Sequence, residues 1–109
     1  MKRAWLTGLV GLAVVGLALA VGGCGPVEST HTILKADTAL HNAKTAGAAK
    51  GLSPEAIYHY TAAQQYLHKA REKWGTSDFE YSIDFARAAL EHATAAREKA
   101  LAAEDEQAQ

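Results

Sequence analysis

The chain has 109 residues, room for one small domain, and carries 11 Lys and Arg against 12 Asp and Glu, a formal charge of −1. Lys2 and Arg3 aside, the balance tilts to about −3, and the bases alternate with acids rather than clustering, which argues against a phosphate-binding surface and so against nucleic acid. Cys24 is the single cysteine, so an intramolecular disulfide and any multi-cysteine zinc site are excluded.

Residues 1–23 read as an export signal. Met1-Lys2-Arg3 is a short basic head, the end that stays on the cytoplasmic side, and no charge follows between Ala4 and Gly23. Val21-Gly22-Gly23 then places small side chains directly before Cys24. That arrangement resembles the lipobox of bacterial lipoproteins, where signal peptidase recognises the small residues and the cysteine becomes residue one. The resemblance implies a covalent diacylglycerol on the Cys24 sulfur and an N-acyl lipid on its amine, with no other cofactor. Val21 and Gly22 stand where the usual pattern has Leu and then Ala or Ser. Two other readings compete. About 20 apolar residues at 1.5 Å each are long enough for an uncleaved single-pass helix, and Cys24 could be an incidental thiol after an ordinary secretory signal. Residues 24–28 read as a lipidated cysteine with a tether reaching about 14 Å if extended. Gly25, rather than Asp, after the cysteine favours the outer membrane, facing the periplasm, by resemblance to sorted lipoproteins.

The next 76 residues, 29–104, read as an alanine-rich helical domain. From Ser29 to Lys50, Ile33, Ala36, Leu40, Ala43 and Gly47 recur at steps of three and four, one face of a helix. Ser53-Pro54-Glu55 starts a second helix: a capping hydroxyl, a proline that needs no N–H at the first position, and an acid at the positive dipole end. Ala56, Tyr60, Ala63, Leu67, Ala70 and Trp74 continue the rhythm, and Gly75 is the expected stop. Thr76, Ser77 and Asp78 are cap candidates for a third helix, whose seam runs Ser82, Ala86, Ala89, Ala93, Ala96, Ala100 and Ala103. At roughly 40 Å it outlasts the second, of about 32 Å, so its last turns should project. Glu104-Asp105-Glu106 puts acid at the negative helix end, so 105–109 reads as a disordered tail. The fold class is therefore all-α: an antiparallel three-helix bundle, or a tetratricopeptide-like hairpin with an extra N-terminal helix, preceded by a signal-peptide helix. Trp74, Phe79, Tyr81, Ile83 and Phe85, around the second turn, are where stability is expected to concentrate.

The order of residues resembles a family of small bacterial envelope lipoprotein domains known only as domain of unknown function 4398. The likeness is carried by Ala46-Gly47-Ala48, Ser53-Pro54-Glu55, Tyr66-Leu67-His68-Lys69-Ala70-Arg71-Glu72 and Ser77-Asp78-Phe79-Glu80. It covers about residues 29 to 103, with Ser82 where alanine is expected. It implies fold and location but no activity. Some relatives place such a domain before a peptidoglycan-binding domain; this chain ends without one, so that role does not transfer. The second and third helices also look like one tetratricopeptide hairpin, although a solenoid needs at least three repeats.

The five histidines show no His-x-x-x-His pair: His59 and His68 fall on opposite helix faces, and His31 and His41 lie about 15 Å apart. No metal site is expected. Ser53, Ser77 and Thr76 are accounted for as caps, leaving no nucleophile, base and orienting group for catalysis. Tyr58, Tyr66, Trp74 and Tyr81 are the candidate interaction surface. The resulting expectation is a non-catalytic, lipid-anchored scaffolding or interaction module of the envelope, held to the membrane and bound to an envelope protein or to itself. The alternatives are a small-ligand or metal-binding periplasmic carrier, or a single-pass membrane-anchored protein.

Overall fold

A computed structural model describes the backbone of residues 2–109 and the side chains of residues 3–14 and 24–109. The described residues form three helices and no strand: α1 (Lys2–Thr45), α2 (Pro54–Gly75) and α3 (Phe79–Ala108). They run up, down and up, and the bundle is all-helical as the three-four spacing implies.

The expected break between the N-terminal stretch and the first helix is absent. α1 is one helix of 44 residues, about 66 Å long, and it passes through Gly25 and Pro26. Residues 24–28 are thus helical and docked rather than an extended tether. A Cβ on Gly25 would sit 3.5 Å from Phe79 Cβ, and Glu28 accepts from Arg87 at 3.1 Å. Nearer the N-terminus, Trp5, Leu6, Leu9, Val10, Leu12 and Val14 are each more than half exposed.

α1 also ends earlier than its seam suggests. Gly47, read as a seam residue, adopts φ +91° and terminates the helix in a Schellman motif: Ala48 N–H donates to Ala43 O and Gly47 N–H to Lys44 O, both at 3.0 Å. Ala43 and Ala48, the residues that such a motif brings together, are both buried in the bundle's far-end cluster with Ala56, Ala96 and Ala100. Residues 46–49 form turns and Lys50 a bend instead of a last helical turn.

The start of α2 follows expectation. Ser53 Oγ accepts from Ala56 N–H at 3.2 Å, and Pro54 occupies the first helical position. Its end falls at Gly75 as read, but the left-handed position beyond it belongs to Ser77, at φ +62°. Ser77 N–H donates to Trp74 O and Asp78 N–H to Lys73 O, a second Schellman motif built without glycine. The third helix runs to Ala108, so the expected disordered tail is helical. Ala, Glu and Gln have high helix propensity, and the unfavourable end charges cost only some tenths of a kcal/mol in water. Residues 104–109 are exposed beyond the last buried seam residue, Ala100, so the expected projection is present.

The three seams meet as read, with a core made of small side chains. Ala36, Ala43, Ala56, Ala63, Ala70, Ala86, Ala89, Ala93 and Ala96 are each at most 1% exposed, and Leu67 is the largest fully buried side chain. The aromatic residues around the α2–α3 turn are not the core: Trp74 is 44% and Tyr81 57% exposed, while Phe79 and Phe85 are half-buried and only Ile83 is buried. An alanine buries little area, so helices packed this way gain from close backbone approach rather than from large side chains.

At the α2–α3 turn end of the bundle the three helices are joined by hydroxyls. Ser29 Oγ of α1 donates to Ser82 Oγ of α3 at 2.7 Å, and Ser82 Oγ donates to the Ala70 carbonyl of α2 at 2.8 Å. Both serines are fully buried. Ser82, the residue out of keeping with an alanine seam, links all three helices through these two bonds.

Candidate anchor and interaction surface

Cys24 lies on α1, exposed, directly before Gly25, which lies against Phe79 of α3. The Val21, Gly22 and Gly23 side chains, expected to be read by signal peptidase, lie outside the described residues. Among the described residues no helix is long and apolar enough to cross a membrane.

Pro26 bears on where the folded body begins. Inside a continuous helix it removes one backbone bond and crowds the preceding turn, at a cost near 3 kcal/mol. Were the chain to begin at Cys24, Pro26 would fall in the first turn, where no backbone N–H has an intrahelical acceptor, and that cost would vanish. The same residue disfavours a helix that crosses this point and favours one that starts there.

The four aromatic residues named as an interaction surface divide into two places. Tyr58 and Tyr66 belong to a ribbon of rings along the α2–α3 groove. Tyr58 meets His59 edge-on at 5.1 Å, and His59 lies beside His92, which stacks on Tyr66 at 5.3 Å and 12°. Tyr66 in turn stacks near Phe85 at 6.2 Å. Helical spacing sets this ribbon on the flank turned away from α1. Trp74 and Tyr81 sit at the α2–α3 turn. Trp74 Nε1 donates to Thr30 Oγ1 at 3.2 Å, tying the turn to α1, its ring meets Phe79 edge-on, and Lys73 Nζ lies 5.7 Å from the Tyr81 ring centre.

The ribbon contains a contact that reading each helix alone misses. His59 Nδ1 and His92 Nδ1 are 3.0 Å apart, so one carries the proton and the other accepts it. The signal was present in the pattern: both residues flank their seams on the side where α2 faces α3, but their separation of 33 positions hides the pair from any local motif. No group of three or more His, Cys, Asp or Glu poised to hold a metal ion occurs among the described residues. His31, His41 and His68 are exposed and lie apart.

Between α1 and α2 an open cleft of about 210 Å³ is lined by Thr30, Ile33, Leu34, Arg71 and Trp74. Arg71 at its edge is engaged with Asp37 at 2.8 Å. At the far end Lys99 bonds Glu55 at 2.9 Å, which lowers the Glu55 carboxyl below its ordinary value and raises the Lys99 amine above its own. These charges are paired on the surface.

No family model matches this chain, and no curated protein or solved structure matches it. The likeness to the unknown-function lipoprotein domain therefore rests on the residues quoted for it.

Proposed function

We propose that this chain is a non-catalytic lipoprotein of the bacterial envelope, anchored through acyl chains on Cys24, whose helical body is an interaction or scaffolding module. One coincidence carries the reading: the lone cysteine behind Val21-Gly22-Gly23 stands directly before Gly25, which lies against Phe79 of the helical body. The apolar, charge-free stretch before it has no described packing role, whereas Pro26 is suited to a helix that begins at the cysteine. Three acyl chains at about 0.8 kcal/mol per buried methylene would make anchoring effectively permanent. Gly25 after the cysteine supports the outer membrane, facing the periplasm, and the ring-lined α2–α3 groove supports an envelope protein or a second copy as partner.

The test is the intact mass of protein extracted from membranes. The expected species starts at Cys24 and carries the mass of a diacylglycerol and an N-acyl chain, while Cys24→Ala abolishes both cleavage and lipid. A product beginning at Met1 with an unmodified thiol would overturn the reading.

A carrier function is favoured by one observation, the His59–His92 pair in the groove. Two imidazoles without a third ligand hold first-row cations weakly. Calorimetry with zinc or nickel separates the two readings: a sub-micromolar site lost in His92→Ala would establish the carrier.

A further inference from the structure

We propose that the α2–α3 turn is a membrane-seating surface, with Trp74 and Tyr81 at the head-group layer of a zwitterionic phospholipid bilayer, so that the bundle stands on the membrane by its turn end. The inference rests on the anchoring reading above and adds the orientation of the body.

The geometry follows from α1. This helix is apolar and unpacked through residues 3–14, and nothing lies within 4 Å of a Cβ placed on Gly8 or Gly11. Farther along, Gly25 lies against Phe79, the first residue of α3. The level at which the acyl chains or the apolar segment leave the lipid is therefore the level of the α2–α3 turn. A helix rising from that level carries the Ala46–Lys50 turn about 30 Å away. Because Trp74 bonds Thr30 and Glu28 bonds Arg87, the body is fixed to α1 on two sides and cannot swing away as it would on an extended tether.

The chemistry of the turn suits that level. Trp74 and Tyr81 are the large exposed aromatic residues of this end, and amphipathic rings of this kind collect where a bilayer meets water. Charge does not drive the seating. Glu28 is paired with Arg87 and Asp78 lies 3.9 Å from Lys73, which leaves Glu80 and no basic surplus to seek anionic lipid. Seating thus depends on the rings and on the attachment.

The test uses the full chain with Trp5→Phe, so that Trp74 is the sole tryptophan, reconstituted in phosphatidylcholine vesicles with bromines at carbons 6 and 7 of one acyl chain. A control carries Trp5→Phe, Trp74→Phe and Leu52→Trp, which moves the probe to the opposite end of the bundle. Vesicle flotation is measured first. The expected result is flotation of both proteins, about a twofold loss of Trp74 emission against unbrominated vesicles, and no loss for the Leu52→Trp probe. Flotation with equal quenching at both positions overturns the seating while leaving the anchor intact. Failure to float overturns the anchor and the seating together.

Discussion

Replacing Ser82 by alanine removes a buried side chain bonded to both other helices, and the cost can be worked from its two bonds. The Ala70 carbonyl still accepts its own helical bond within α2, so losing the 2.8 Å bond from Ser82 costs about 0.5–1 kcal/mol. The Ser29 hydroxyl, fully buried, loses its only side-chain acceptor, which costs about 1–2 kcal/mol unless it turns to its own helix, as Thr32 does toward Glu28 O. Ser82→Ala should therefore destabilise by about 2 kcal/mol, or about 10 °C in Tm for a domain of this size. Ser29→Ala leaves Ser82 bonded to Ala70 and should cost about 1 kcal/mol. The double variant orphans nothing, so it should cost about 2 kcal/mol rather than 3, a coupling near 1 kcal/mol. Urea unfolding of the chain from Cys24 onward, followed by far-UV circular dichroism, measures all three. A Ser82→Ala effect below about 0.5 kcal/mol with strictly additive variants would refute the relay as a stabilising link.

The Ser77 backbone holds a left-handed conformation that glycine adopts without penalty, so Ser77→Gly should stabilise by about 0.5–1 kcal/mol; unchanged or lower stability in urea would show that the turn is not strained. Pro26→Ala should raise amide protection around residues 22–26 in the full chain, yet change stability by under about 0.5 kcal/mol in a chain beginning at Cys24; equal effects in both would contradict the helix-start argument. The Glu55–Lys99 pair has a defined pH signature. Because Lys99 lowers the Glu55 carboxyl, its contribution is present above the ordinary carboxylate range and fades as pH falls through the lowered value. The raised Lys99 amine loses the same interaction only as pH climbs past its own raised value. In Lys99→Met, carboxyl NMR should show Glu55 titrating at higher pH than in the parent chain, and added salt should narrow that gap, since both side chains are exposed.

Much of the fold was legible because each seam obeys a local rule. Ala56, Ala63, Leu67 and Ala70, and Ser82 through Ala100, are buried where the three-four spacing puts them, and Ser53-Pro54 starts α2 as capping chemistry requires. The stops were less legible. Gly75 ends α2 as read, yet the left-handed residue beyond it is Ser77, whereas Gly47, read as part of the α1 seam, is itself the left-handed stop, since which residue turns left-handed depends on where the next helix must dock. The aromatic surface was identified residue by residue, yet not its division into a ribbon and a turn patch, because ring contacts cross between helices.

The order of residues by itself determined that this chain is helical, where two of its helices begin, which stripe of each is buried, and that an apolar segment ends at a lone cysteine. These properties depend on neighbours within about four positions, the range over which a helix repeats its faces. Tertiary structure alone decided that Ser29, Ser82 and Ala70 form one relay, that His59 meets His92, and that Gly25 is already seated on Phe79. Each of these joins residues more than ten positions apart, and alanine seams, smooth and small, leave the register that brings them together to the packing of three helices at once.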